Sequence, residues 1–360
     1  MIKYLPIAIV MLILFTIPIC VSSCTSNDLS PDVAEETWPD PPEIFLEEPP
    51  AEDFAAATGL SAWVKDADLK YNRENGAAVY FTADISPEGL VRIYQALNAE
   101  PQGNIAVKLS TGQPGSNYLR PELIKLLVQS LEGVIVECNT IDGGNRYSTE
   151  YHLQVAKDHG FTDIAEFDIM DSAGEITLPV VGGEVLRENF VGSHFINYDY
   201  FVVLSHFKGH PMAGFGGAIK NIAIGIASKS GKGWIHSGGT KTSGAYCEQD
   251  IFLKCMAEAG KSVSDSLDGS ILYINVMNRL SIDCDCIGNP REPDMHDIGI
   301  LSSFDPVALD QACVDLVSAA PDSSARLLQR IEQRNGLLTL EHAAMIGLGA
   351  REYTLVIIDE

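Results

Sequence analysis

Basic residues are scarce in this sequence: 24 Lys and Arg stand against 49 Asp and Glu, for a net charge of −25. So acidic a chain repels phosphate backbones, which argues against non-specific binding to nucleic acid. The deficit is steepest between Cys24 and Thr58, where ten acids occur without a single Lys or Arg. Setting aside those ten and Lys3 leaves 39 acids against 23 bases, so the rest of the chain is acidic too. No fixed-period repeat runs through the sequence, which argues against a solenoid. Phosphate-loop signatures are also missing. In "GIASKSGKGW" five residues separate Gly225 from Gly231 where four are required, and Lys232 precedes Gly233 instead of Ser or Thr. "GFGGAI" lacks the third glycine of a dinucleotide fingerprint, and no acid lies at the expected distance beyond it.

What is present begins with an address. After "MIK", the apolar run "YLPIAIVMLILFTIPI" has signal-peptide length and ends in "VSSC". Residues 1–23 resemble a bacterial lipoprotein signal, with Cys24 as the residue that would carry the lipid. That resemblance implies an exported protein, lipid-anchored to the outer face of a bacterial membrane. Residues 24–60 hold six prolines and the acids counted above, with no helical or strand period. Low hydrophobicity with high charge cannot offset ordering entropy, so this stretch reads as an acidic, Pro-rich tether.

From residue 61 onward short apolar runs alternate with amphipathic stretches. "AAVYF", "NIAVKLS", "GVIVECN", "YFVVLSH", "ILYINVM", "IGILSS" and "YTLVII" read as strands. "SPEGLVRIYQAL" reads as a helix capped by Ser86, and "DPVALDQACVDLVSA" as one capped by Asp305, each with proline at its first position. "RPELIKLLVQSL" and "TEYHLQVAKDHG", the latter stopped by Gly160, complete the set. Strands alternating with helices predict an α/β fold with a largely parallel sheet and flanking helices. The length suggests two lobes, 61–185 and 186–360, with a cleft between them and a last strand that returns to the first lobe.

In such folds the site lies beyond the carboxyl ends of the strands. There, after "YFVVLS", comes the segment Ser205–His236, with three histidines, four lysines and seven glycines in thirty-two residues. His206, His210 and Lys220 are the candidate catalytic residues, because imidazole and a partly buried amine both move protons near neutral pH. Gly214, Gly216 and Gly217 let backbone approach a bound group closely, and Lys108 at an earlier strand end would hold an anion beside them. "DGGNR", Asp142–Arg146, follows the next strand end and is a similar candidate. His236 is a candidate metal ligand.

The motifs "HFKGHPMAGFGGAIKNIAIGIAS", "SIDCDC" and "DIGILSSFDPVALDQACVDLV" resemble the domain-of-unknown-function 362 family, labelled uncharacterised iron–sulfur-centre proteins. Many members carry a ferredoxin module, but its C-x₂-C-x₂-C-x₃-C-P run is absent here, which speaks against a cluster. The spacing of His210, Lys220 and His236, ten and then sixteen residues, also resembles the nickel-pincer lactate racemase family. That resemblance implies Lys220 as the tether of a nickel-bearing cofactor, His236 as the nickel ligand and His210 as an acid/base. The family's further histidine, in a G-x-H-R setting, has only His152 as a poor stand-in.

A second constellation is "SIDCDCIGNPREPDMHD", where Cys284 and Cys286 flank Asp285. Such a C-x-C pair can give two thiolates to nickel, iron or zinc, or can enter disulfides, for instance with Cys247 and Cys255. Cys138 and Cys313 lie in apolar runs and read as core. Taken together, the residues point to a metal- or cofactor-dependent enzyme, redox or racemase-like, acting on a small organic acid. The alternatives are a non-catalytic surface lipoprotein that binds a small ligand or metal, and an iron–sulfur electron-transfer protein.

Overall fold

The computed structural model describes residues 60–141, 144–322 and 325–359. The signal segment, the tether to residue 59, Cys24, and Asp142 and Gly143 of the "DGGNR" turn lie outside the described residues. Along the chain the strands are β1 (Asn72–Thr82), β2 (Ile105–Lys108), β3 (Val134–Glu137), β4 (Phe167–Ile169), β5 (Glu175–Pro179) and β6 (Glu188–Gly192). They continue as β7 (Tyr200–His206), β8 (Lys208–His210), β9 (Gly214–Gly216), β10 (Ile271–Met277), β11 (Gly299–Ser303) and β12 (Tyr353–Ile357).

Eight of these form one sheet in the order β12-β1-β11-β10-β7-β2-β3-β4. All neighbours run parallel except β11, which is antiparallel to both β1 and β10. The uninterrupted apolar character of β7 and β10 has a plain cause: both faces of the sheet are covered. Phe201 and Val203 of β7 enter one core with Tyr273 of β10, while Val202 and Leu204 enter the other with Ile274. The first core lies against the helices Ala218–Ile226 and Pro306–Ala319, the second against Pro87–Ala96 and Pro121–Ser130. Ser86 caps its helix by accepting from the Gly89 N–H, and Asp305 caps its own by accepting from Val307 and Ala308.

The expected division near Gly182–Leu186 does not separate two lobes. β2, β3 and β4 precede it and β7 and β10 follow it, yet β2 and β7 pair directly, and the described residues fall in a single compact unit. The reason is that neither set of short apolar strands can cover its inner edge without the other. β12 returns to pair with β1.

Strand order decides where a crevice opens. The chain lays down β2, β3 and β4 in one direction, then crosses back to place β7 and β10 on the other side of β2. The reversal falls between β2 and β7, and ligand crevices in open α/β sheets lie beyond the carboxyl ends at such a reversal.

Candidate functional site

Lys108 ends β2 opposite Val136, and Glu137 ends the adjacent parallel strand β3 one residue further on, so the two side chains meet at the strand ends. The Lys108 ammonium donates to Glu137 Oε2 at 3.2 Å, to the Leu109 carbonyl at 2.5 Å and to Asn221 Oδ1 at 3.0 Å. Those three acceptors use all of its hydrogens. Glu137 Oε1 accepts from the Thr111 N–H at 3.1 Å and from Arg146 Nη1 at 3.3 Å. Burial works against the Glu137 carboxylate, but Lys108, His152 and Arg146 outweigh it and hold its pKa down at about 2. His152 Nε2 sits 3.0 Å from Thr111 Oγ1, and burial pushes its pKa down to about 3, so the ring is neutral.

Asn221 joins the two sides of the strand reversal. Its amide nitrogen reaches the Lys108 carbonyl at 3.2 Å, the Leu204 carbonyl at 3.2 Å and Ser205 Oγ at 3.0 Å. The helix that carries it, Ala218–Ile226, is anchored by Asp310, which accepts from the N–H groups of Ala218 at 2.8 Å and Ile219 at 3.0 Å. Burial raises the Asp310 pKa to about 6. Gly217 has to be glycine, since a Cβ there would fall 2.3 Å from Asp310 Oδ1. Likewise a Cβ on Gly225 would fall 2.6 Å from Lys108 Nζ. These two glycines clear space for the protein's own charged groups, not for a ligand.

The opposite wall is built on β8 and the loop after β10. His210 Nδ1 accepts the N–H groups of Met212 at 3.1 Å and Ala213 at 2.9 Å. Burial first, and then the neighbouring Lys220, push its pKa down to about 4. A neutral ring whose Nδ1 accepts must carry its hydrogen on Nε2. His210, Cys284 and Cys286 offer ligand atoms that all lie within 4.8 Å of one another. The Cys286 N–H donates to Cys284 Sγ at 3.3 Å. Hydrogen bonding from Cys286, against burial and with help from Lys220 and His210, brings the Cys284 thiol well below its ordinary pKa. Cys286 is raised correspondingly.

Asp285, between the two cysteines, turns the other way. It accepts from His206 Nδ1 at 3.0 Å and pairs with Lys208 Nζ at 2.9 Å. Burial opposes this carboxylate, yet His206 and Lys208 hold it far below the usual range. His206 Nε2 meets the Asn278 carbonyl at 2.6 Å, so both ring nitrogens of His206 are engaged in holding the cysteine loop.

Between the two walls lies a cavity of about 330 Å³. Every catalytic, cofactor and metal candidate read from the sequence lines it except Gly214. Gly214 adopts the left-handed conformation at φ 81° and faces the backbone of Ile331 and Gly336. His236 lines the cavity from the helix Lys229–His236, with its Nδ1 2.6 Å from the Lys232 carbonyl. It stands outside the close His210–Cys284–Cys286 group. All six cysteines of the described residues are free thiols, and Cys247 and Cys255 pack around Phe252. Glu137, Asn221, Asp310 and Lys232 were not singled out by sequence reasoning. For Glu137 a signal exists: "IAVK" and "VIVE" are apolar strands that each end in one charge of opposite sign.

The elements define an α/β protein with a cationic, thiol-bearing cavity at a strand reversal. The chain matches the family described as Domain of unknown function (DUF362) over residues 105–315, more than half its length, and belongs to that family. It is also similar to the lactate racemase apoprotein from Thermoanaerobacterium thermosaccharolyticum, at 15% identity and a TM-score of 0.42 over 68% of this chain and 58% of that one. A crystal structure of a protein from Thermotoga maritima is similar at 13% identity and a TM-score of 0.37, over 72% of this chain and 58% of that one. The chain therefore spans less than two thirds of the length of either. No curated protein matches it.

Proposed function

We propose that the cavity is the active site of a metal-dependent enzyme acting on a small organic acid, with Cys284 and Cys286 as the metal-holding side chains. The observation that carries this reading is the approach of Cys284 and Cys286, whose sulfur atoms lie within 4.8 Å of each other on the cavity wall. Paired thiolates suit nickel, iron or zinc. A bound metal would supply Lewis-acid polarisation of a substrate oxygen.

Of the three histidines that line the cavity His206 is engaged by the cysteine loop, and the other two differ in tautomer, which assigns them different work. His236 gives its Nδ1 hydrogen to the Lys232 carbonyl, which puts the lone pair on Nε2 and makes that nitrogen an acceptor. His210 has the reverse arrangement. With Nδ1 accepting two backbone N–H groups, its Nε2–H is a neutral hydrogen-bond donor beside Cys284, suited to steady negative charge on a substrate oxygen. Lys220 adds positive charge next to both His210 and Cys284.

Elemental analysis of the native protein is the test. One equivalent of metal is expected, lost in Cys284→Ser and in Cys286→Ser but kept in His210→Gln. Protein that carries no metal and takes up neither zinc, nickel nor iron on reconstitution would overturn the reading. Intact mass on the same sample reports any adduct on Lys220, the tether implied by the pincer-family resemblance. Export and lipidation at Cys24 are a separate part of the proposal, supported by the apolar run and "VSSC". Palmitate labelling should disappear in Cys24→Ser.

A further inference from the structure

The chain is strongly acidic, yet its cavity is cationic. Among the described residues five basic side chains line it, Lys108, Arg146, Lys208, Lys220 and Lys232, against one lining carboxylate, Glu137. Asp285 stands behind Lys208 and pairs with it at 2.9 Å. Glu137 is divided between Lys108 at 3.2 Å and Arg146 at 3.3 Å, so that trio keeps one positive charge. Neither Lys220 nor Lys232 has a carboxylate partner among the described residues, and the buried Lys232 ammonium donates only to the Ala227 carbonyl, at 2.6 Å. Three positive charges are therefore left over. Charge buried without a counter-charge is costly in a protein interior, so a wall of this kind needs an anion to complete it.

Arg146 shows where that anion would dock. The residue is 4% exposed, and its Nε is buried without a hydrogen-bond partner among the described residues. Its Nη1 makes only long contacts, 3.4 Å to Ser110 Oγ, 3.4 Å to Thr111 Oγ1 and 3.3 Å to Glu137. A guanidinium presents its donors as a planar fork that fits two oxygens of a carboxylate or a phosphate at once. An orphaned Nε on a cavity wall is half of such a fork with nothing in it. The volume of about 330 Å³ is at the small end of ligand sites and limits the guest to a small molecule.

We infer that the ligand of this cavity is a small dianion, a dicarboxylate or a phosphate monoester, with one anionic group on Arg146 and charge balanced by Lys220 and Lys232. The inference rests on the reading of this cavity as the ligand site, and it narrows the organic acid to one with two negative charges. Its test does not depend on the metal. Calorimetric titration of chelator-treated, full-length protein would compare succinate and malate with glycerol phosphate and inorganic phosphate, with lactate as the single-charge control. At least one dianion class is expected to bind about tenfold or more tightly than lactate, and which class does so identifies the source. Arg146→Gln should remove most of that preference, and Arg146→Lys should not restore it, because a point charge lacks the fork. Lys232→Gln should lower dianion affinity more than lactate affinity. Since Arg146 touches Glu137, the Lys220→Gln variant provides a second readout that leaves the buried trio intact. Equal affinity for lactate and the dianions, or no anion binding at all, would overturn the inference. Dianion binding by the chelator-treated protein supports the inference whatever the elemental analysis finds, and failure of native protein to hold or take up metal would sink only the metal reading.

Discussion

The two walls of the cavity are built on opposite principles. On the β2–β3 side, Glu137 is enclosed by Lys108, Arg146, Thr111 and His152, while Arg146 Nε and His152 Nδ1 are left without a partner among the described residues. On the β8 side, Cys284 and Lys220 sit together without a carboxylate between them, and the one nearby acid, Asp285, is spent on His206 and Lys208. The first wall is a network closed around the Glu137 carboxylate, with one positive charge in excess. The second gathers a thiol of lowered pKa, an amine and an imidazole N–H that bonds that sulfur. The lesson is that burial alone does not mark the reactive groups; what separates them is whether their charges are already answered within the fold.

Breaking the first wall should have the largest effect. Glu137→Gln strands Lys108 and Arg146 in the interior and should cost about 3–5 kcal/mol of folding free energy, measured by denaturant titration. Its pH dependence follows from the sign of the shift. Glu137 titrates at about 2 in the fold against an ordinary 4.5, so its contribution is complete above 4.5 and is lost as pH falls towards 2. The difference between wild type and Glu137→Gln should therefore shrink over that interval and be flat above it.

Asn221→Ala should come next. It leaves Lys108 one acceptor short and unties the ends of β2 and β7, and about 1–3 kcal/mol is expected in the same titration. A wild-type midpoint would show that the strand reversal does not depend on this bridge.

The smallest change in stability, within about 0.5 kcal/mol, is expected from Lys220→Met, because the side chain is half-buried and pairs with no carboxylate among the described residues. Its effect should appear in chemistry. Cys284 has a lowered pKa and Cys286 a raised one, so alkylation at Cys284 should persist to lower pH than at Cys286. Lys220→Met should move the Cys284 onset to higher pH, as read by peptide mass spectrometry across a pH series. Cys286 alkylated first would reverse the contrast between the walls.

Much of the scaffold was readable in advance. "YFVVLSH" and "ILYINVM" are strands over their whole length, since a run buried on both faces needs no alternation to betray it. The caps at Ser86 and Asp305 were readable because a cap is a local contact. The hairpin of β8 and β9 was not, because "KGH" and "GFG" carry no apolar period, and their pairing depends on the residues packed around them. The same distinction runs through the site. His210, Lys220, His236 and the C-x-C pair stand out as residue types in one dense stretch and one short loop.

The sequence by itself determined which chemical groups the protein has and the alternation of strands and helices that carries them, because composition and local periodicity are properties of neighbours along the chain. Only the tertiary structure decided which of those groups are spent and which remain. Lys108 and His206 looked like ligands for a substrate, yet each is consumed by partners tens of residues away in sequence, Glu137 and Asn221 for the first, Asp285 and Asn278 for the second. Charge compensation in a protein interior is set by distances through space, and those exist only once the strand reversal has brought β2 and β7 together.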